Sequence, residues 1–149
     1  MLDKSSFGFE KPRDSPGFLL WQSTVTWQRL IKKALDPYDI SHAQFVVMAL
    51  LLWFREQKID VTQVLIINWS KLDKMTVSKS VGMLVKRSLL TRYENHLDTR
   101  AKTITLTEEG IQLIKKLVPV VEKVDEDFFG KLSEPEQSSL KICLRKISK

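Results

Sequence analysis

The chain is poor in the residues from which most enzyme sites are built. Its 149 residues include one cysteine, Cys143, and two histidines, His42 and His96. A lone thiol cannot close an internal disulfide, so a reducing, cytoplasmic setting is expected. No Cys/His/Asp cluster has metal-ligand spacing, so no metal site is expected. The five glycines are scattered without a phosphate-cradling motif. No Ser/His/Asp or Cys/His set occurs, nor a carboxylate pair in an apolar setting. Neither catalysis nor a cofactor is expected. Long apolar runs are missing as well. Phe45–Phe54 and Val64–Ile67 are too short to span a bilayer, and the first residues do not resemble a signal peptide. What is present, 43% hydrophobic and 28% charged residues, suits one globular domain with a proper core.

Acidic residues are scarce in one place. Residues 74–102 hold seven Lys/Arg against Glu94 and Asp98, a net +5 of the chain's +6. Concentrated positive charge is the footprint of a phosphate-binding surface. The local pattern supports that reading. Asp73 is an N-cap, since its carboxylate can accept from free N–H groups of the next turn. Val77, Val81, Leu84 and Ser88 then recur at helical spacing on one narrow, mainly apolar face. Met75, Thr76, Lys79, Gly82, Met83 and Lys86 lie opposite, with Ser80 at the margin. Leu89–Tyr93 has strand composition, residues 94–100 are turn-forming, and Lys102–Leu106 alternates polar and apolar as a half-buried strand does. A basic helix followed by a hairpin with basic flanks is the layout of a winged helix-turn-helix.

The other segments fit around this unit. Residues 1–14 show no period and read as a flexible arm. Ser15-Pro16 starts a helix with proline at its first position, carrying Leu20, Trp27, Leu30, Ile31 and Leu35. Ser41 and Gln44 form a capping box opening a helix to about Arg55 that is apolar nearly all round, hence central. Thr62–Trp69 reads as a short helix, joined by a tight turn to the basic one. Thr107-Glu108-Glu109 caps a long helix in which Pro119 predicts a kink. Ser133–Glu136 is a second capping box, starting a final helix to Ile147. Both terminal regions carry more apolar residues than one small module covers, which suggests a partner subunit. The fold class is mainly α with a small β-wing.

At this point residues 16–147 resemble the MarR family of multiple-antibiotic-resistance-type regulators. The most specific match is the wing signature Asp-x-Arg-x5-Leu-Thr, here Asp98-Thr99-Arg100 followed by Leu106-Thr107 and Glu108-Glu109-Gly110. Asp73…Thr76-Val77-Ser78 and Leu89-Leu90-Thr91-Arg92 are weaker matches. The resemblance implies a homodimer with dimerisation helices at 15–36 and 108–147. A DNA-binding region at 41–107 would be held over a pseudo-palindromic operator in double-stranded DNA. It implies that Thr76, Ser78, Lys79 and Ser80 face the major groove and that Arg100 enters the minor groove. Arg92 and Lys102 would be phosphate contacts, and Asp98 would brace the wing. It further implies a repressor released by a small, often aromatic, effector. The chain departs from the family pattern in three ways: Ser88 replaces the usual glycine closing the recognition helix, Gly82 sits mid-helix, and Lys79 stands where arginine is common.

Bland readings stand beside these. Core filling is the default for Trp21, Trp27, Trp53 and Trp69, solvent exposure for His96, and packing in a dimer interface for Cys143. Two other uses of the basic face stay open here. One is a winged-helix protein-interaction module without specific DNA binding; the other is a surface for membranes or acidic partners.

Overall fold

A computed structural model of the protein describes residues 4–94 and 102–149. Six helices and three short strands follow in order among them: α1 (Pro16–Leu35), α2 (His42–Glu56), β1 (Val61–Thr62), α3 (Gln63–Ser70), α4 (Lys74–Lys86), β2 (Leu90–Glu94), β3 (Lys102–Leu106), α5 (Glu108–Phe129) and α6 (Glu134–Ile147).

Local capping chemistry sets where the helices begin. Ser15, Ser41, Thr62, Asp73, Thr107 and Ser133 are each extended, and each side chain accepts from a backbone N–H in the first turn of its helix. At Ser41 and Ser133 the box closes in both directions, with Gln44 and Glu136 returning to the cap's own N–H. Hydrogen bonds from the Ser133 backbone and side chain hold the Glu136 carboxyl below its ordinary value. Helix α5 continues through Pro119 as one element.

The sheet holds a strand the residue pattern did not reveal. β3 lies between β1 and β2, antiparallel to both, with Val61 opposite Ile104 and Arg92 opposite Ile104 on the other edge. Two residues are too few to show a period, so β1 has no signature of its own. β3 is thereby a central strand, and Thr103 is buried with Ile104 and Leu106 although alternation assigns it to the polar side.

The core gathers Ile31 and Leu35 of α1, Val47, Met48 and Leu51 of α2, Val77, Val81 and Leu84 of α4, and Ile114 and Leu117 of α5. Helix α2 is central as expected, except that Trp53 near its end reaches solvent. Core filling fails for most of the tryptophans. Only Trp27 packs against the core, while Trp21, Trp53 and Trp69 are exposed, the last two meeting Phe54 edge-on. Helix α6 has no buried residue. Phe18, Leu19, Leu20, Trp21 and Leu30 on α1, and Ile142, Leu144 and Ile147 on α6, stand exposed.

Gly110 explains how α5 joins the sheet. A Cβ there would lie 2.1 Å from the Leu89 carbonyl oxygen. Close approach lets the Thr107 N–H donate to that carbonyl at 3.0 Å and the Thr107 hydroxyl donate to the Ser88 carbonyl at 2.7 Å. The end of α4, the start of β2 and the start of α5 are pinned at this knot.

Candidate nucleic-acid interface

The interface is built from the α3–α4 corner outward. Lys71 closes α3 in the left-handed conformation, φ 61°, its N–H donating to Ile67. The Ser70 hydroxyl accepts from the Leu72 N–H, which turns the chain into the Asp73 cap. Asp73 accepts twice from Thr76, from the backbone N–H at 2.7 Å and from the hydroxyl at 2.8 Å. Both bonds stabilise the carboxylate and hold its pKa below the ordinary value.

With that start, α4 buries Val77, Ser80, Val81 and Leu84. The outermost stripe, one helical turn apart and opposite the core, is Met75, Lys79, Gly82 and Lys86, with Lys74 and Ser78 exposed beside it. Among the described residues no carboxylate pairs with Lys74, Lys79, Lys86, Arg92 or Lys102. The ion pairs found there, Lys32–Asp36 and Lys123–Asp127, lie on other elements. Unpaired cations on one ridge can neutralise phosphates without first breaking an internal bond.

The expected contact residues divide into four groups. Ser78 and Lys79 on α4, Arg92 on β2 and Lys102 on β3 are exposed. Thr76 is half-buried with its hydroxyl donated to Asp73, so it caps the helix rather than offering a free donor outward. Ser80 is a correction: at 6% exposure it belongs to the core face, since one residue past Lys79 rotates it away from the outer ridge. Asp98, Arg100 and His96, for which the sequence carried expectations, lie outside the described residues.

Two more positions move. Ser88 is not on the helical face but beyond its end, in the left-handed conformation at φ 59°. A glycine would relax there, in keeping with the departure noted in the sequence. Met83 sits at the inward margin of the outer face, still half-exposed, with the Gln44 amide approaching its sulfur at 3.8 Å.

That inward side of α4 borders a cavity of about 550 Å³ between α1, the start of α2 and α4. Lys32, Asp36, His42, Gln44, Met83 and Arg87 line it. The Arg87 guanidinium donates to the main-chain carbonyls of Tyr38 and Asp39, tying the end of α4 to the α1–α2 corner. His42 is set edge-on to Trp27 at 5.0 Å, and the Trp27 indole N–H donates to Asp125 of α5 at 2.7 Å. Burial lowers the His42 pKa below its ordinary 6.5, with the Asp125 charge opposing the shift. No tryptophan lines this cavity, and sequence reasoning missed its residues because their partners lie tens of positions away.

Among the described residues no helix is long and apolar enough to cross a membrane, and no group of His, Cys, Asp and Glu could hold a metal ion. Cys143 is exposed in the single chain.

Comparison with known proteins converges on this architecture. Residues 36–124 match the ArnR1-like winged-helix domain family. The chain is 38% identical over 128 residues to YdcH, an HTH-type transcriptional regulator of Bacillus subtilis, covering 86% of this chain and 87% of that one. It is similar to Bordetella bronchiseptica BpsR, whose DNA binding is regulated by 6-hydroxynicotinic acid, at 27% identity and TM-score 0.85, covering 95% of this chain and 99% of that one. It is also similar to MepR of S. aureus in complex with DNA, at 25% identity and TM-score 0.80, covering 89% and 96%.

Proposed function

The chain is a DNA-binding transcriptional regulator of the MarR family, and on that footing we propose that it is a dimeric repressor of a pseudo-palindromic operator, released by a small effector. The observation that carries the DNA-binding part is the outer ridge of α4, which bears lysines and no carboxylate and whose cations have no ion-pair partner among the described residues. Lys79 and Ser78 enter the major groove. Arg92 and Lys102 contact phosphate, and Arg100, braced by Asp98, enters the minor groove.

Dimerisation is supported by the exposed apolar residues of α1 and α6, which the chain's own core leaves uncovered. Residues 15–36 and 108–147 supply that interface, 41–107 the winged DNA-binding region, and 1–14 an arm. The two-fold axis then meets two half-sites about one helical turn apart. The cavity beside α4 is the effector site. A small aromatic acid, the class of molecule that regulates BpsR, meets Lys32, His42 and Arg87 there. By favouring one position of α4 relative to the α1–α2 corner, it changes the spacing of the recognition helices. Such a regulator works in the cytoplasm.

The test is selection from a random DNA pool at two salt concentrations. Enrichment of an inverted repeat, with affinity falling steeply as salt rises, is the expected result. Lys79→Ala and Arg100→Ala each weaken binding to that repeat while leaving folding and sedimentation as a dimer intact. Operator affinity unchanged in both variants refutes the proposal. Absence of binding at low salt favours the protein-interaction module.

A further inference from the structure

We infer that Met75 is a base reader, and that its target is the C5-methyl group of a thymine in each half-site; the inference rests on the DNA-binding reading above. Met75 is 80% exposed on the first turn of α4 and lies on the same outward stripe as Lys79 and Lys86. A long apolar side chain held in water on a cationic ridge lacks an internal purpose. No hydrogen bond or core contact engages it. The N-terminal residues of a recognition helix are the ones that reach base edges.

The composition of α4 narrows what can be read. Residues 74–86 contain no Arg, Asn or Gln, so the helix lacks the bidentate partners for adenine and leaves guanine to its lysines. Arg87, next in line, is committed to the Tyr38 and Asp39 carbonyls. Thr76 has given its hydroxyl to Asp73. The free outward groups are therefore Lys74, Ser78, Lys79, Lys86 and Met75. The first four hydrogen-bond, and Met75, on the first turn and more exposed than Met83, offers apolar surface. On a major-groove floor the thymine methyl is the apolar group that distinguishes one base pair from the other three. Methionine's unbranched thioether chain adapts its shape to such a contact. Gly82, two turns along the same stripe, has nothing within 4 Å of where a Cβ would stand, so the ridge can seat close to the base edges.

The experiment uses the full chain and a duplex bearing the inverted repeat enriched from the random pool. Each thymine is replaced in turn by uracil, which removes the methyl and nothing else. For wild-type protein, one thymine per half-site is expected to cost about fourfold in affinity on losing its methyl, the value of one buried methyl group. Met75→Ala is expected to bind the thymine and uracil duplexes equally at that position and to keep its sensitivity elsewhere. Met75→Leu retains the discrimination. Equal sensitivity of wild type and Met75→Ala overturns the inference, as does an enriched repeat in which every thymine tolerates uracil; in either case specific binding itself still stands. Failure to enrich any sequence overturns the regulator reading, and this inference with it.

Discussion

Gly110 and Gly82 are both helical glycines of this chain, and the structure assigns them opposite consequences. An alanine methyl at 110 would sit 2.1 Å from the Leu89 carbonyl oxygen, 3.0 Å from its carbon and 3.2 Å from Leu106 Cδ2. Two of these atoms are backbone and cannot rotate away, so α5 must retreat from the β2 edge. Retreat stretches the Thr107 N–H bond to Leu89 and the Thr107 hydroxyl bond to Ser88. Overpacking at a rigid site costs about 1–3 kcal/mol, and each weakened hydrogen bond about 1 kcal/mol. Alanine's helix propensity returns about 1 kcal/mol. The net for Gly110→Ala is a loss of about 2–4 kcal/mol, a melting temperature lower by about 5–15 °C for a chain of this size. At Gly82 a Cβ meets nothing within 4 Å, so Gly82→Ala should gain about 0.5–1 kcal/mol. Thermal and urea denaturation at one fixed protein concentration measure both, since a dimer's stability depends on concentration. Two variants shifting in the same direction would refute the argument, because helix propensity alone would then account for them.

Further expectations concern the same region. Ser88 is held in the left-handed conformation, where a side chain costs about 1–2 kcal/mol. Ser88→Gly should therefore raise stability in urea titration and Ser88→Val lower it. Asp73→Ala removes both bonds to Thr76 and should lower the urea midpoint, with Asp73→Asn retaining most of the cap. Because the His42 pKa is depressed by burial, the unfolded chain takes up that proton first on acidification. Stability from this site is full above pH 6.5 and declines as pH falls below it. His42→Gln should flatten that segment of a stability–pH curve; an unchanged curve shows that His42 is not the group titrating.

The winged architecture was legible in the residues because its boundaries are local. A Ser, Thr or Asp that bonds an N–H two or three residues on is written into adjacent letters, and all six caps stand where the sequence places them. Membership of the family was legible for a similar reason: the wing signature and the turn leading into α5 are contiguous. Only the last of these letters, Gly110, needed the fold to explain it, through a carbonyl 21 positions earlier in the chain.

Tertiary structure decided what the sequence left ambiguous by a few tens of degrees around a helix. Ser80 is polar and sits between Lys79 and Val81, so periodicity leaves it at the margin. The packed core takes it inside. Met83 reads as an outward residue and stays half-exposed, but only the fold brings Gln44, 39 positions away, to its sulfur. β1 is a strand only because β3 runs beside it. The cavity at α4 exists because Arg87 finds the carbonyls of Tyr38 and Asp39, and the link between α1 and α5 because Trp27 finds Asp125, 98 residues on. Short-range hydrogen bonds and side-chain period are properties of a segment, and so the amino-acid order alone determined them. Which face is buried and which groups meet are properties of the whole packed chain, and those only the fold could decide.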